Sequence, residues 1–231
     1  MVRHVVYKSV IFFAITHIMK KKSPLDSVDW ESQWAAHGLG YQNGFVHLNV
    51  LDYAPDALSA VLRLKPGPGF GDLSHPTTRL VLRLMNNRMQ KATVLDVGCG
   101  SGVLSLAALA MGASTVCGID IEAEALVHAE SNCLLNGMQK QAIFVKPQEC
   151  DRIFAKKNSV IMLMNMIQSE QAVAWESLDK IHKHMELAIT SGVMVEERAS
   201  YLMRCSQWGW QLVEEREEDG WLGFVFRLSG K

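Results

Sequence analysis

Residues 94–102 read Val-Leu-Asp-Val-Gly-Cys-Gly-Ser-Gly, and the next apolar run ends in Gly118-Ile119-Asp120. This order predicts a strand, a glycine turn that opens a helix, and a second strand that ends in a carboxylate. Glycine lets the backbone approach a ligand closely, and the N–H groups at a helix start favour an anion. A carboxylate after the second strand can accept hydrogen bonds from both hydroxyls of a ribose. The stretch therefore indicates the nucleoside-binding half of a doubly wound α/β fold.

The spacing of the glycines distinguishes between possible ligands. Dinucleotide-binding turns carry G-x-G-x-x-G, which accommodates a pyrophosphate, whereas Gly98, Gly100 and Gly102 form G-x-G-x-G. This spacing, preceded by Asp96 inside the strand, resembles motif I of the S-adenosyl-L-methionine (AdoMet) methyltransferases. The resemblance implies a ligand that presents a small carboxylate to the turn and an ammonium group to a nearby acid. The alternative, glycines that only permit a tight turn, is disfavoured because strand, turn, helix and terminal acid occur in order.

Strands and helices alternate along most of the chain, which predicts a parallel sheet with right-handed crossovers. A turn at Asp219-Gly220 joins the last two strands into an antiparallel hairpin, and Gly192 predicts a bulge or break in the strand before them. The predicted fold class is α/β, with a doubly wound, seven-stranded, Rossmann-like sheet. The predicted strands are 93–97, 115–120, 142–145, 160–164, 187–195, 211–215 and 221–227, and the predicted helices are 77–89, 103–111, 123–136, 170–185 and 196–207.

The 231 residues are enough for one medium domain with an N-terminal extension. We expect residues 1–53 to form the extension and a linker with short elements, and residues 54–231 to form the domain. Residues 10–19 are mostly apolar but too few to span a bilayer. A cluster of lysines follows this apolar run, whereas the basic region of a secretory signal precedes the apolar one. The sequence therefore predicts a cytoplasmic protein with no membrane contact, although a translation start at Met19 stays an alternative.

Composition excludes several other classes of site. The net charge of −1 gives no global reason to expect direct binding to nucleic acid. The five cysteines occur singly, without a C-x-x-C pair, so neither a metal site nor a redox site is predicted. We expect them to be small buried side chains in a reducing compartment.

Residues 66–78 narrow the family, because they read Pro-Gly-Pro-Gly-Phe-Gly-Asp-Leu-Ser-His-Pro-Thr-Thr. This stretch resembles the P-G-x-A-F-G-T-G-x-H-P-T-T signature of the ribosomal protein L11 methyltransferases (PrmA). Asp29-Trp30 with Trp34, the run 118–122, and Asn165-Met166-Ile167 are similar to further stretches of that family. The matches occur in order from about residue 28 to the C-terminus, and a C-terminal antiparallel hairpin is typical of methyltransferase sheets.

The resemblance implies a role for each matching position. Asn165, at the end of the fourth strand of the sheet, is expected to face the transferred methyl group and is the candidate catalytic residue. His75 has two open interpretations, a residue that orders the loop before the first helix or a simple helix cap. AdoMet is the implied cofactor, and the residues expected to bind it are Thr78, Gly98, Gly100, Gly102, Asp120 and Asn165.

The sequence departs from the family pattern in two places. Asp72 and Leu73 stand where the family has threonine and glycine, so the loop that covers the cofactor is expected to be stiffer. Only some two dozen residues precede the match at Asp29, which is too few for the ferredoxin-like recognition domain of the family. The expectation is a chain that lacks most of that domain.

The resemblance therefore implies an AdoMet-dependent N-methyltransferase that acts on lysine or N-terminal amines of a protein, such as a ribosomal protein. Two alternatives stay open at this point. A small-molecule methyltransferase would have a closed pocket beside Asn165, whereas a protein substrate needs an open groove. A non-catalytic AdoMet-binding protein is favoured by Asp72 and Leu73 but disfavoured by the intact residues at positions 98–102, 120 and 165.

Overall fold

The computed structural model describes residues 32, 40–69, 71, 73–154 and 159–228. The expectations for residues 1–31, for Trp34 and for Asp72 lie outside these residues. Within them, ten strands form two sheets: β1 (Tyr41–Gln42), β2 (Phe45–Asn49), β3 (Val61–Leu64), β4 (Thr93–Val97), β5 (Thr115–Ile119), β6 (Ala142–Val145), β7 (Val160–Asn165), β8 (Met185–Met194), β9 (Trp210–Glu218) and β10 (Trp221–Leu228). The α-helices are α1 (Pro76–Met85), α2 (Val103–Ala110), α3 (Ala123–Leu135), α4 (Cys150–Phe154), α5 (Gln168–Ser177) and α6 (Arg198–Gln207).

Seven strands form the main sheet in the order β6-β5-β4-β7-β8-β10-β9. The strands from β6 to β8 pair in parallel, and β10 lies antiparallel to both β8 and β9. The chain moves outward from β4 to β5 and β6, then returns to the other side of β4 with β7. The doubly wound sheet with its C-terminal hairpin is thus confirmed, and the strand order reverses between β4 and β7.

Two hydrophobic cores cover the two faces of this sheet. Along β7, Ile161 and Leu163 join the core beneath α1 and α2, whereas Val160, Met162 and Met164 join the core beneath α5 and α6. Side chains alternate between the faces of a strand, so a strand buried on both faces must be apolar throughout. This explains why the sequence of β7 reads as a continuous apolar run.

Helix α5 is shorter than predicted. The sequence indicates a helix over 170–185, but α5 ends at Ser177, a 3₁₀ turn spans Asp179–His184, and β8 begins at Met185. The buried side chains Leu178, Ile181 and Met185 keep a helix-like spacing, which produced the error. Pairing of Met185 with Val160 draws the chain into the sheet instead.

The N-terminal part of the described chain holds a strand that the sequence did not indicate. Strand β3 pairs antiparallel with β2, which pairs with β1, so that a small three-stranded sheet spans residues 41–64. This sheet contains residues from both sides of the predicted boundary at residue 53, and the division of the chain there stays a prediction. Helix α1 also ends earlier than expected, because Asn87 takes a positive φ of 63° soon after Met85.

Gly192 forms the predicted bulge in β8. Leu222 of β10 lies opposite Val193 and Gly223 lies opposite Ser191, so Gly192 has no partner across the ladder. Its φ of +97° is unfavourable for any residue with a side chain, and a Cβ there would overlap the carbonyl oxygen of Met166. The bulge therefore brings the backbone of β8 at Gly192 against the backbone of Met166, which follows β7.

Replacement of Gly192 by alanine should destabilise the fold more than the same change at Gly137, which has a similar positive φ but open space around it. Gly137→Ala should cost only the strain of the left-handed backbone, about 1–2 kcal/mol. Gly192→Ala adds the overlap with Met166, and we expect a total loss of about 3–4 kcal/mol. Urea unfolding of both variants measures the difference. Equal losses would show that the Met166 backbone moves freely away.

Candidate functional site

The residues expected to form the site meet at one edge of the main sheet. Gly98 follows β4, Asp120 follows β5, and Asn165 ends β7. These are the carboxyl ends of parallel strands on both sides of the reversal in strand order. A crevice forms at such a point because the connections leave toward opposite faces of the sheet, and ligands of doubly wound folds bind there.

Residues 98–102, the glycine turn, combine three left-handed positions in five residues. The φ angles of Gly98, Gly100 and Gly102 are 69°, 55° and 78°. Gly98 is exposed, whereas Gly100 and Gly102 are buried. A Cβ at Gly102 would lie 3.1 Å from the Cβ of Ala129, so this glycine allows α3 to pack closely against the turn. Gly98 is therefore the member of the three that opens toward the edge of the sheet.

Most backbone donors of the glycine turn are already used within the fold. The N–H groups of Gly98 and Cys99 donate to the Ile119 carbonyl at 2.8 and 3.0 Å, and that of Gly102 donates to Cys99 at 2.8 Å. The Gly100 N–H donates to a carboxylate oxygen of Asp120 at 3.0 Å. Three of these four N–H groups bind backbone carbonyls and the fourth binds the Asp120 carboxylate, so all four fix the turn itself.

Ser101 adds a feature of the glycine turn that the sequence reasoning missed. Its hydroxyl is buried, and it has no hydrogen-bond partner in the described part of the chain. A buried hydroxyl without a partner is costly, so such a group commonly marks a place where a ligand or a water binds. The sequence did contain a signal for this feature, because Ser101 is the only residue of 98–102 that has a hydroxyl side chain.

Asp120 is held by backbone donors on both of its oxygens. Oδ2 accepts from Gly100, and Oδ1 accepts from the Glu122 N–H at 2.9 Å. A carboxylate offers about four acceptor positions, so each oxygen retains one for another donor. The half-buried side chain is thus fixed in place and can accept from two neighbouring hydroxyls.

Asn165 and Thr78 are brought together from two distant segments. The Asn165 amide nitrogen donates to the Thr78 hydroxyl at 3.3 Å, and Thr78 is fully buried in the first turn of α1. With its nitrogen engaged, the half-buried Asn165 amide directs its carbonyl oxygen elsewhere. The next residue, Met166, places its terminal methyl group where a Cβ at Gly98 would lie, so these two ends of adjacent strands are in contact.

A buried polar network fixes the backbone behind Asn165. The fully buried Gln171 donates to the carbonyls of Met166 and Ser191 at 2.8 and 3.0 Å. Its own oxygen accepts from the Tyr201 hydroxyl at 2.6 Å, and that hydroxyl also contacts Thr190 at 2.7 Å. Sequence reasoning missed Gln171, because one glutamine in an apparently ordinary helix gives no local signal.

Asp96 faces the interior rather than the open edge. It is 1% exposed and accepts from the Ser105 hydroxyl at 2.6 Å. Burial raises the pKa of this carboxyl to about 6, the Ser105 hydrogen bonds oppose the rise, and the negative charge of Asp120 adds to it. Asp96 thus ties β4 to α2 and is not a surface acid available to an ammonium group.

The segment before α1 contributes a cap and a buried side chain. The His75 ring accepts weakly from the Thr77 N–H at 3.4 Å and contacts the Thr77 hydroxyl at 2.8 Å, so His75 caps the helix, as one of its two interpretations held. The ring also meets the edge of Trp221, with centroids 5.2 Å apart. Leu73 is buried, and its carbonyl accepts from Arg79 at 3.2 Å.

Other kinds of site are not found in the described part of the chain. There, no group of three or more histidine, cysteine or acidic side chains is arranged to hold a metal ion. No helix in the same residues has the length and apolar character needed to cross a membrane. All five cysteines are buried and unpaired, and burial raises the thiol pKa of Cys205 to about 12.

Comparison with known proteins connects this geometry to a family. One relative is a ribosomal protein L11 methyltransferase from Geobacter sulfurreducens, 31% identical over 206 residues, which cover 87% of this chain and 67% of that protein. A second, with the same name and from Alteromonas mediterranea, is 32% identical over 181 residues, or 77% of this chain and 60% of that protein. The chain thus spans about two thirds or less of the length of these relatives.

A solved structure shares the fold. The ribosomal protein L11 methylase from Lactobacillus delbrueckii subsp. bulgaricus superimposes with a TM-score of 0.60 at 27% identity, over 74% of this chain and 85% of that one. A sequence profile of the family described as ribosomal protein L11 methyltransferase (PrmA) matches residues 8–229. Because that match extends over nearly all of the sequence, this chain belongs to the ribosomal protein L11 methyltransferase (PrmA) family.

Proposed function

We propose that this chain is an AdoMet-dependent N-methyltransferase that methylates amines, on lysine side chains or an N-terminus, of a protein such as a ribosomal protein. Family membership supports the reaction type. The observation that carries the proposal is the Asn165 amide, held by Thr78 at the carboxyl end of β7 and adjacent to the exposed Gly98. Asn165 is thus placed at the reversal in strand order with one hydrogen-bonding atom available.

The residues at this edge fit AdoMet. The two remaining acceptor positions of Asp120 suit the vicinal hydroxyls of its ribose. The partnerless hydroxyl of Ser101 can donate to its amino-acid carboxylate, and Gly98 allows close approach of the chain that joins carboxylate and sulfur. Thr78 completes the set by holding Asn165. When bound, AdoMet supplies a methyl group on a positively charged sulfur.

The acceptor amine must reach the site as a neutral group with an available lone pair. A lysine amine has a reference pKa of about 10.4, so its deprotonation at pH 7 costs about 4–5 kcal/mol. Removal from water lowers that cost, because it disfavours the charged ammonium. The Asn165 carbonyl oxygen can accept one amine N–H and direct the lone pair toward the methyl group. The acceptor ammonium first loses one proton to water, because an amide is not a base. The nitrogen–methyl bond would then form as the methyl–sulfur bond breaks, and the positive charge of the sulfur would pass to the methylated amine.

Alignment is therefore the main contribution of Asn165. An in-line displacement is accelerated mainly by holding the nucleophile in line with the methyl group and the leaving sulfur. The hydrogen bond from Asn165 to Thr78 fixes which atom of the amide faces the amine, and Gln171 fixes the backbone that follows. Both contacts reduce the freedom of the acceptor-binding oxygen before the substrate arrives.

If Gly98 and Asp120 bind the cofactor as proposed, it lies over β4 and β5, and the acceptor then approaches Asn165 from the side of β8 and β10. Three apolar side chains on that side are partly exposed: Ile167 at 39%, Met194 at 40% and Val195 at 37%. The loops that carry them are tied together, because Glu197 accepts from both Gln168 and the Met194 N–H, at 2.8 and 3.1 Å. We call Ile167, Met194 and Val195 the apolar rim.

Acidic side chains accompany the apolar rim. Glu196 directly follows Val195 and is exposed, and the β9–β10 turn adds Glu218 and Asp219. Arg79 forms salt bridges with both Glu218 and Asp219, and Arg83 forms one with Glu218, so these two cations leave one negative charge among the three acids. An open, apolar and acidic surface suits a basic peptide segment better than a small metabolite, and this favours the protein substrate.

The direct test starts with calorimetric titration of AdoMet, followed by incubation with labelled AdoMet and ribosomal protein from the same source. Label on an amine of the ribosomal protein supports the proposal. Label only on small amines would instead favour a small-molecule methyltransferase. Binding with no transfer to any amine would favour the non-catalytic alternative.

Asn165→Ala should reduce the rate of methyl transfer by about 100-fold, because the amine loses its orienting acceptor. The dissociation constant of AdoMet should change by less than about threefold, since Asp120 and the glycine turn remain. Single-turnover transfer and calorimetry measure the two quantities. Asn49→Ala is the control, because Asn49 is exposed and its amide bonds only to Asp52 in the described structure. Equal losses in transfer and in AdoMet binding would contradict the orienting role.

The double change Ile167→Ser and Val195→Ser should raise KM for the protein substrate by about tenfold, because two partly exposed side chains no longer bury apolar area against it. The affinity for AdoMet should stay the same. Val173→Ser is the matched control, since Val173 is 68% exposed and lies on α5 away from this edge. An unchanged KM for the protein would place the docking surface elsewhere.

A further inference from the structure

Helix α3 and the residue that caps its C-terminus carry three polar side chains at intervals of four residues, on one face of the helix: His128, Asn132 and Asn136. The Asn136 amide accepts from the Arg63 N–H at 3.0 Å and donates to the Arg63 carbonyl at 2.7 Å. The Asn132 oxygen accepts from the Lys65 N–H at 2.8 Å. The side chains of this polar ladder thus bind the backbone that continues from β3, as a neighbouring strand would.

His128 completes the polar ladder with two further bonds. Its Nε2 lies 2.8 Å from the Lys65 carbonyl, and its Nδ1 accepts from the Gly69 N–H at 3.1 Å. A carbonyl can only accept and an N–H can only donate, so the proton is on Nε2 and Nδ1 is unprotonated. The contact therefore requires the neutral imidazole.

Residues 65–69, the covering segment, lie directly against the glycine turn. A Cβ at Gly69 would come within 2.5 Å of the Gly100 carbonyl carbon and of the Ser101 nitrogen. Beyond it, a Cβ at Gly71 would overlap the Ser101 hydroxyl. The covering segment thus approaches so closely that its position determines the shape of the space beside the glycine turn.

Asn132 connects the covering segment to the glycine turn. While its oxygen binds Lys65, its amide nitrogen donates to the Ser101 carbonyl at 2.9 Å. Asn132 is fully buried, and both ends of its amide are used. One side chain of α3 therefore sets the distance between the covering segment and the glycine turn.

We propose that His128 and Asn132 are positioning residues for the cofactor, which hold the covering segment on the glycine turn, and that protonation of His128 releases Gly69 and weakens cofactor binding. The inference rests on the proposed binding of AdoMet, but it is independent of methyl transfer and of the acceptor. Neither residue needs to touch the cofactor itself.

The surroundings of His128 favour its neutral form. Burial lowers the pKa of this imidazole from the usual 6.5, the hydrogen bond to the Lys65 carbonyl opposes that change, and the Lys65 ammonium adds to it. On α3 itself, Glu124 lies one turn earlier; the glycine turn is preceded by Asp96 in β4 and contacted by Asp120. The ring is therefore neutral above pH 6.5 and takes up a proton as the pH falls below it.

Protonation turns an acceptor into a donor. With a hydrogen on Nδ1, two N–H groups of His128 and Gly69 face each other and the bond is lost. The stabilising contribution of the bond is fully present above pH 6.5 and disappears as the pH falls through the lowered pKa. AdoMet affinity should follow the same direction, high at neutral pH and weaker in acid.

His128→Gln tests this inference, because glutamine offers one donor and one acceptor but does not titrate. In the original chain, the AdoMet dissociation constant measured by calorimetry should rise severalfold as the pH is lowered from about 7.5 through the lowered pKa of His128. His128→Gln should keep the affinity at the higher pH within about threefold and lose most of the pH dependence. His182→Gln is the matched control, since His182 is also partly buried and bonds a backbone carbonyl, but at Trp175 in the opposite core. Unaltered pH dependence in His128→Gln would overturn the proposal.

Asn132→Ala and Asn136→Ala form a second matched pair. Asn136 binds the backbone of Arg63 within β3, and Asn132 binds that of Lys65 just after it, but only Asn132 also reaches the glycine turn. Asn132→Ala should weaken AdoMet binding by about tenfold, and Asn136→Ala by less than about threefold. Equal effects would contradict the positioning role of Asn132.

Hydrogen exchange of the ligand-free protein separates this inference from the proposed function. The protection factors of the Lys65 and Gly69 amides, which are the hydrogen-bonded amides of the covering segment, should decrease as the pH is lowered in the original chain and should not decrease in His128→Gln. If protection changes in this way but AdoMet does not bind at all, His128 does release the covering segment on protonation. Both its role in cofactor binding and the proposed function would then be refuted. If the pH dependence of this protection is the same in the original chain and in His128→Gln, the inference is overturned even if AdoMet binds and methyl transfer proceeds.

Discussion

The close approach of backbone to backbone around residues 98–102 is the constraint on which the rest of the structure depends. The Ile119 carbonyl accepts two N–H groups of this turn from one side, α3 packs on Gly102 from another, and Gly69 lies against it from a third. A Cβ at Gly69 would overlap the backbone of Gly100 and Ser101, and a Cβ at Gly102 would lie only 3.1 Å from the Cβ of Ala129. The ends of β4 and β5 and the start of α2 are thereby fixed relative to one another, and the crevice takes its shape from them.

Functional groups are supported by contacts made further from the edge of the sheet. The Asn165 amide depends on Thr78 for its orientation, and the backbone after Asn165 depends on Gln171 and on the bulge at Gly192. A site held to a fraction of an ångström needs such support, because small displacements of a reacting group reduce the rate strongly. Both faces of the sheet contribute to it, α1 from one and α5 from the other.

The sequence predicted the main sheet well because its signals are local. Strands buried on both faces read as apolar runs, and the glycines between strands and helices mark turns, so β4 and β6 have the predicted bounds. Signals that depend on a distant partner were missed. Strand β3 is defined by pairing with β2, and the end of α5 is defined by the pairing of Met185 with Val160. For the same reason, the roles of His128 and Asn132 were not visible, because each binds backbone more than 50 residues away, and Gln171 acts by joining Met166 to Ser191 of another strand.

The hydrogen bond between Thr78 and Asn165 joins residues 87 positions apart, and it has a consequence for the order of folding. Thr78 is held through α1, which packs on β10 near Gly223 and is bound by Arg79 to Glu218 at the end of β9. Contacts of such long sequence separation form late, because they must first close large loops. During synthesis, β4 to β6 emerge and can pair before β9 and β10 have left the ribosome. The nucleoside-binding half is therefore complete early, whereas the half that orients the acceptor forms only with the last strands.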